Sequence, residues 1–350
     1  MANYTIFAPL LWYNNRNTLC VFKENDGQKM LKFVCKRILQ SLIVLLMIAC
    51  LTFLLMNLVP GGPFLSEKAQ TPEVIAALNA KYGLDQPKII QLKNYIVNIS
   101  HFDFGVSLKM QKDRPVIDII RELFPVSARI GIIALLWAVA FGIPMGCIAA
   151  YNRGGKIDSF LRVVMTLGIS VPSFVVATGL LVVFGVVLHA LPTIGLSDAS
   201  SYIMPCFTLA FYPMCYIGRL TRSSMLDVIN QEYIRTARAK GVKTSVIIFK
   251  HALRNAFIPV LTYLGPLTAY ILAGTFVAEQ VFTLPGLGRY FIQSILNRDY
   301  PIIMATTIFL ASLVIFMNLV VDILYKGDFF LHYTRFRRFG CCRGPNACIK

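Results

Sequence analysis

The sequence predicts an all-α polytopic membrane protein with six transmembrane helices, an extracytoplasmic helical layer after the first of them, and a cytoplasmic loop that carries two short helices. Two observations lead to this fold class. Apolar residues make up 56% of the 350 residues and charged residues 15%, with a mean hydropathy of +0.64, which would cover a soluble domain with exposed apolar surface. The apolar residues also form continuous runs near the roughly 20 residues that a spanning helix needs, not the alternating segments of a β-barrel.

The first 59 residues lead into the first span. Residues 1–29 are mixed polar and aromatic, and we expect an N-terminal extension of unknown role. Residues 30–59 place three basic side chains before a charge-free run from Ile38 to Val59. Basic residues in that position predict a cytoplasmic lead-in followed by a transmembrane helix.

Residues 60–125 are predicted to form an extracytoplasmic helical segment. The run Pro60-Gly61-Gly62-Pro63 ends the first helix, because proline lacks an amide donor. Thr71 followed by Pro72 predicts the start of a helix that ends near Gly83. A second helix is predicted by an apolar stripe at helical spacing. The stripe consists of Ile89, Leu92, Ile96 and Ile99.

Residues 126–325 are predicted to form a five-helix core. Its spans are placed at about 126–151, 163–191, 202–218, 256–278 and 302–321. Three prolines within these spans, Pro172, Pro213 and Pro266, are candidates for kinks or gating positions, because proline removes a helical hydrogen bond.

Small residues recur every four positions along the second span. They are Ala134, Ala138, Gly142, Gly146 and Ala150. Small side chains allow a second helix to approach closely, which is how helices associate in lipid. The stripe therefore predicts either a contact with another subunit or bundle, or ordinary packing within the chain.

The charge distribution predicts the orientation in the membrane. Most of the 34 Lys and Arg residues fall in segments 1–37, 151–162, 219–254 and the atypical basic tail 326–350. Because Lys and Arg accumulate on the cytoplasmic side, both termini are predicted to be cytoplasmic. Orientation thus explains the formal charge of +17, and no nucleic-acid partner is needed to account for it.

The predicted cytoplasmic loop 219–255 is a polar segment between two apolar runs. Leu226, Ile229, Tyr233 and Ala237 are predicted to line one helical face. Gly241 ends this helix, and Thr244 or Ser245 begins a second one that reaches about Asn255. The pattern predicts either a docking element for a soluble partner or a basic loop that only follows the orientation rule.

Motifs for catalysis, cofactors and metals do not occur in the sequence. It contains no phosphate-binding loop, H-E-x-x-H motif, nucleophile elbow or carboxylate pair inside a span. Nine cysteines include no C-x-x-C pair, and Cys341, Cys342 and Cys348 with His332 match no ligand spacing. We therefore expect neither enzymatic activity nor a cofactor or metal.

Ionisable residues inside the spans argue against an ion-coupled carrier. Arg129 and Asp322 lie near opposite ends of the predicted spans. A secondary carrier usually has a charged or unwound polar site near the membrane midplane. A secondary carrier nevertheless remains the alternative function from a different class of protein.

Two segments carry a resemblance to a known family. Arg235-Thr236-Ala237-Arg238-Ala239-Lys240-Gly241, with nine residues before His251-Ala252-Leu253-Arg254, resembles the EAA loop of ABC importer permeases, E-A-A-x₃-G-x₉-I-x-L-P. Ala237, Gly241 and Leu253 match, whereas Arg235, Thr236, His251 and Arg254 depart in the form seen in the dipeptide/oligopeptide/nickel branch. Further segments similar to that branch are Phe124-Pro125-Val126-Ser127-Ala128, Ile169-Ser170-Val171-Pro172-Ser173-Phe174, Thr221-Arg222-Ser223-Ser224-Met225, Leu284-Pro285-Gly286-Leu287-Gly288 and Leu296-Asn297-Arg298-Asp299-Tyr300.

The resemblance implies a role and a set of partners. It is strongest to the B-type permease subunit of an oligopeptide importer, and Pro72-Glu73-Val74 with Ala80-Lys81-Tyr82 favours the oligopeptide member. The implied partners are a second homologous permease, two cytoplasmic ATP-binding subunits that hydrolyse ATP, an extracytoplasmic peptide-binding protein and the lipid of a bacterial inner membrane. Dipeptide, nickel, glutathione or a peptide antibiotic remain alternative cargoes. The residues implied in ATPase docking are Arg235, Thr236, Ala237, Arg238, Ala239, Lys240, Gly241, His251, Leu253 and Arg254.

Overall fold

The computed structural model describes residues 26–59, 77, 80, 83, 85–243, 246–272 and 276–340, with side chains for 32–59, 77, 80, 83, 85–243, 246–248, 252–253, 255–268, 270–271 and 276–323. Its described part is almost entirely helical, which confirms the predicted fold class. In chain order the helices are α1 (Asp26–Leu58), α2 (Lys88–Ser100), α3 (Val116–Tyr151), α4 (Lys156–Ser170), α5 (Ser173–Leu180), α6 (Ile203–Ile229), α7 (Glu232–Ala239), α8 (Leu253–Leu272), α9 (Phe276–Val281), α10 (Leu287–Asn297) and α11 (Tyr300–Gly340). π-Helical stretches continue α5 (Leu181–Val187) and lead into α8 (Ile247–Ala252), and a 3₁₀ turn, Ala199–Tyr202, precedes α6.

Three of the described helices are long and apolar enough to cross a membrane. They are Lys32–Leu58 within α1, all of α3, and Tyr300–Ile323 within α11. A fourth candidate is α4 followed by α5 and its continuation, which meet at an angle of 102°. The 27 residues of α6 and the 20 residues of α8 give lengths of about 40 Å and 30 Å, enough for a crossing. The total of six spans therefore remains a prediction.

Several helices extend past the predicted boundaries of the spans. Helix α3 continues through Pro125, and its 36 residues give a length of about 54 Å, well beyond the roughly 30 Å of a hydrocarbon core. Helix α11 likewise continues to Gly340. Only residues 77, 80 and 83 of the predicted helix from Thr71 to Gly83 are described. Thr244 and Ser245, predicted to begin the second helix of the loop, and the cysteine-bearing end of the tail lie outside the described residues.

The core of the larger unit forms where α3 packs along α6. The chain divides into two compact units at Ile43 and Val44, within α1. In the larger unit, fully buried apolar side chains from α3, α6 and α8 make one cluster. Its central members include Ile130, Ala134, Ala138, Ile217 and Val260. This packing sets the positions of the two ends of α3, which carry the two groups of polar contacts described next.

Candidate docking and transport sites

The connector segment, residues 230–252, joins α6 to α8 and contains α7. Helix α6 ends at Ile229, and Gln231 has an extended backbone with ψ of 154°. The prediction of one continuous helix through these residues is therefore wrong, although Leu226, Ile229 and Ala237 pack against the same buried cluster. Because the break rotates α7 relative to α6, Ile234 is the fully buried side chain of α7, whereas Tyr233 is 39% exposed.

Apolar packing fixes one side of α7 to the rest of the protein. Ile234 belongs to a buried cluster formed by the ends of α3 and α6 and by the π-helical stretch before α8. The cluster consists of Ala150, Met225, Val228, Ile234, Ile247, Ile248, Ala252 and Ala256. Ala237 and Leu253 are half-buried at its edge.

The other side of α7 is polar and exposed. Among the residues predicted for docking, Arg235, Thr236, Arg238, Ala239, Lys240 and Gly241 are exposed. The side chains of His251 and Arg254 lie outside the described residues. The structure thus brings the N-terminal part of the predicted set together on a single exposed surface.

Gly241 ends α7 in a left-handed conformation with φ of +74°. The amide of Val242 donates to the Ala237 carbonyl (3.2 Å), and the amide of Gly241 donates to the Arg238 carbonyl (2.9 Å). These two bonds form a Schellman motif, in which glycine adopts the left-handed angle with no steric penalty. The predicted end of the helix at Gly241 agrees with this geometry.

A buried ion pair fastens α4 to α6 just before the connector segment. Asp158 is 1% exposed and accepts two hydrogen bonds from the Arg222 guanidinium, at 2.7 Å from Nε and 2.9 Å from Nη2. The amide of Gly154 donates a third, at 3.0 Å. Such a bidentate pair restricts both position and orientation, and the sequence reasoning missed it.

The small-residue stripe of α3 packs within the chain. A Cβ added to Gly142 would lie 2.7 Å from the Met214 carbonyl oxygen. One added to Gly146 would lie 2.5 Å from the Gly218 carbonyl oxygen. Ala134, Ala138 and Ala150 are buried as well. Of the two predicted alternatives, the geometry favours close packing of α3 against α6.

A cavity of 620 Å³ lies between the α4–α5 break, α6, α8 and α9. All three prolines singled out in the sequence, Pro172, Pro213 and Pro266, line it. Pro172 follows the end of α4, whereas the other two lie inside α6 and α8. Residues far apart in the chain thus meet at one cavity, which their sequence positions did not predict.

A row of tyrosines runs from the cavity towards the end of α6. Tyr212 and Tyr263 line the cavity, and Tyr216 packs on both, with ring centroids 6.2 Å from Tyr212 and 4.4 Å from Tyr263. The guanidinium of Arg219 lies over the Tyr216 ring at 5.4 Å, a cation–π distance. A row of packed aromatic rings that ends in one cation therefore leads from the cavity to the connector end of α6.

Two fully buried carboxylates organise the opposite end of α3, and the sequence reasoning did not single out either. Glu279 accepts hydrogen bonds from the Ser127 hydroxyl (2.7 Å) and the Arg289 amide (2.8 Å), and Gly286 packs directly on its carboxylate. The Ser127 hydroxyl in turn accepts from the Leu287 amide at 2.9 Å. Glu279 thus fixes α9 and the start of α10 to α3.

The second buried carboxylate, Asp299, holds the loop before α3. Its oxygens accept from the Ser107 hydroxyl (2.6 Å) and from the amides of Leu108 (3.1 Å), Lys109 (2.9 Å) and Met110 (3.0 Å). Burial and the neighbouring Arg298 lower the pKa of Lys109, while Asp299 acts in the opposite direction. Asp299 lies in the segment 296–300 that carries the family resemblance, whereas Glu279 lies outside every segment quoted for it.

Comparison with known families identifies the class of protein. The family described as "Binding-protein-dependent transport system inner membrane component" matches residues 142–327, and the N-terminal family described as "Binding-prot-dependent transport system membrane comp, N-term" matches residues 30–130. The chain belongs to this family of transport permeases. The EAA-type segment lies inside the longer match.

This permease covers its curated relatives almost end to end. It is 44% identical to the dipeptide transport system permease protein DppB of Bacillus subtilis, over 85% of this chain and 96% of the relative. It is 43% identical to the oligopeptide transport system permease protein OppB of Haemophilus influenzae, over 85% and 97%. The Escherichia coli K12 protein OppB is 40% identical with the same coverage. These values leave dipeptide and oligopeptide relatives at nearly equal distance.

A solved structure supports the fold. The inward-facing MetNI methionine ABC transporter superposes with a TM-score of 0.52 at 16% identity, covering 60% of this permease and 96% of the matched chain. At that identity the likeness concerns the arrangement of helices alone. It agrees with the ABC permease fold that the resemblance of the EAA loop implied.

Proposed function

We propose that this permease is one transmembrane subunit of an ATP-driven peptide importer and that its connector segment binds an ATPase subunit on the cytoplasmic side. The observation that carries the proposal is the two-sided construction of α7. Ile234 is fully buried beneath it, while Arg235 and Arg238 are exposed above it. A helix that is packed on one side and charged on the other can be bound by a partner and can pass the partner's movement to the residues it packs against.

The proposed mechanism uses α7 as a rigid lever. When the ATPase subunits close, they would move α7, and the cluster around Ile234 would pass that movement to α6 and α3. The pair of Asp158 with Arg222 would carry it to α4. The spans would then alternate between outward and inward access, with Pro172, Pro213 and Pro266 as the positions at which the helices bend. Surface charges would guide docking, and buried contacts would hold it.

The proposed assembly contains this permease, a second homologous permease, two ATPase subunits and an extracytoplasmic peptide-binding protein. The binding-protein-dependent family and its peptide-transporting relatives support this set. Oligopeptides are the proposed cargo, with both termini of the chain in the cytoplasm. Dipeptides, nickel, glutathione and peptide antibiotics are the cargoes to compare with them.

Affinity purification from membranes tests the docking role. The tagged wild-type permease should bring down the ATPase subunits and the second permease. Reversing the exposed charges with Arg235→Glu and Arg238→Glu together should reduce the recovered ATPase and peptide uptake at least tenfold, because charge reversal turns complementary contacts into repulsion. Abundance in the membrane should not change, since neither side chain is buried.

Arg153→Glu is the matched control, an exposed arginine in the turn between α3 and α4, and should behave as wild type. Full ATPase recovery by the double variant at normal abundance would contradict the docking role. Peptide uptake by the permease alone in liposomes, driven by an ion gradient without ATPase subunits, would instead establish a secondary carrier.

A further inference from the structure

We propose that the 620 Å³ cavity is a binding site for the main chain of a peptide in transit, and that Thr208, Tyr212 and Tyr270 contact it. This inference rests on the proposed function, since it assigns to one cavity the cargo of the importer. The volume falls within the range of about 300–1,000 Å³ that is typical of small-ligand sites.

The chemistry of the wall suits a neutral and variable ligand. Among the described residues that line the cavity, none is Asp, Glu, Lys, Arg or His. The wall instead offers aromatic faces, hydroxyl groups and aliphatic side chains. Tyr212 and Tyr270 are 42% and 76% exposed, so their rings are accessible to a ligand. Such a wall can stack on side chains of many kinds without selecting a charge.

A buried hydroxyl without a partner points to a ligand in the cavity. Thr208 lines the cavity and is 2% exposed, and its Oγ1 has no hydrogen-bond partner within the described part of the chain. A buried polar atom left unpaired is costly, and native structures usually supply a partner. A peptide amide or carbonyl would supply that partner.

The prolines add backbone polarity to the same wall. Each proline lacks an amide hydrogen, so it removes the donor that a helix would direct to the carbonyl four residues earlier. For Pro213 that carbonyl belongs to Leu209, which also lines the cavity. Freed backbone groups are tolerated at membrane depth where they line a cavity. A peptide main chain carries alternating donors and acceptors, which complement such groups whatever its side chains are.

Photo-crosslinking in the reconstituted importer tests the assignment directly. Benzoylphenylalanine would replace Tyr212, Tyr270 or, as the control, Tyr151, which is 60% exposed and does not line the cavity. Radiolabelled tetra-alanine would be supplied with ATP and the binding protein. We expect label on the permease from positions 212 and 270, at least tenfold above position 151.

A hydroxyl deletion provides the second measurement. Thr208→Val keeps the shape of the side chain and should lower tetra-alanine uptake about fivefold, as expected for the loss of one hydrogen bond to cargo. Thr262→Val is the control, because that hydroxyl is exposed and already donates to the Ile258 carbonyl at 3.0 Å. It should transport as wild type.

The possible outcomes separate this inference from the proposed function. Two results would overturn the cavity assignment and leave the importer intact, provided that the wild type takes up tetra-alanine. One is the absence of label from positions 212 and 270, and the other is full uptake by Thr208→Val. Absence of uptake of tetra-alanine and of other peptides by the wild-type assembly would overturn the proposed cargo and this inference together.

Discussion

Asp158 joins two helices through residues that are 64 positions apart in the sequence. The carboxylate is 1% exposed and is bound in bidentate fashion by Arg222. In contrast, Arg162 lies 3.6 Å from the same carboxylate and is half exposed. Buried pairs are costly to break, whereas exposed ones contribute about 1 kcal/mol or less. Arg222 therefore fixes α4 to α6, whereas Arg162 lies on α4 itself and forms a pair within one helix.

Gly241 is required by backbone conformation and not by space. Its φ of +74° is left-handed, yet a Cβ added there would meet nothing within 4 Å. For most L-residues that conformation costs roughly 1–2 kcal/mol, while asparagine adopts it more readily. Side-chain bulk alone therefore should not determine the effect of a substitution at this position.

We expect Gly241→Asn to retain most peptide uptake and Gly241→Val to lose it about five- to thirtyfold, which is the effect of 1–2 kcal/mol on a conformational equilibrium. The β-branched valine disfavours the left-handed angle, so the Schellman bonds to Ala237 and Arg238 would weaken. Uptake normalised to the amount of permease in the membrane is the measurement. Equal losses in both variants would indicate that position 241 must carry no side chain, whatever its backbone conformation.

At the level of whole elements, the contact between α3 and α6 depends on glycines. A Cβ at Gly146 would lie 2.5 Å from the Gly218 carbonyl oxygen and 2.6 Å from Thr221 Cβ. Both of these atoms belong to a neighbouring helix in a packed interior, so they cannot move away independently. The interhelical distance is therefore set by the absence of a side chain at this position.

Gly146→Ala should lower the free energy of unfolding of the purified permease by about 1–3 kcal/mol, the usual cost of overpacking. Gly179→Ala is the matched control in another apolar helix, because nothing lies within 4 Å of its added Cβ. There alanine should be neutral or stabilising by up to about 1 kcal/mol. Thermal unfolding in detergent checks both, and an undiminished stability of Gly146→Ala would show that α3 and α6 can separate freely.

Local patterns in the sequence predicted features that depend on neighbouring residues. The stripe that includes Gly142 and Gly146 has a four-residue period, and the end of α7 depends on Gly241 alone. The pairs Asp158–Arg222 and Ser107–Asp299 span 64 and 192 positions, and no periodicity connects such residues. The convergence of Pro172, Pro213 and Pro266 on one cavity depends on tertiary packing in the same way.

Across the whole molecule, α3 links two differently built ends. Its last turns contact the cluster around Ile234, while its first turns lie beside α10 and α11 in a second apolar cluster. Asp299 fastens the loop before α3 to the start of α11. The buried contacts at the two ends are separate, so damage to the Asp299 site should not spread to the connector segment.

Asp299→Asn should loosen the loop at residues 107–110 while leaving ATPase docking intact. The substitution replaces a charged acceptor with an amide, whose own N–H donors face the Ser107 hydroxyl and three backbone amides. The loss is large because each hydrogen bond to a charged group contributes roughly 1.5–3 kcal/mol. Hydrogen exchange should rise at least tenfold in this loop.

Asp103→Asn is the control. Asp103 is an exposed residue in the same region, and among the hydrogen bonds described for it, it accepts only from the Gly105 amide. This variant should leave exchange at 107–110 unchanged. Co-purification of the ATPase subunits should match wild type in both variants. If Asp299→Asn abolished it, the two ends of α3 would have to be coupled through the spans, and the description of the connector segment as an independently fixed lever would be wrong.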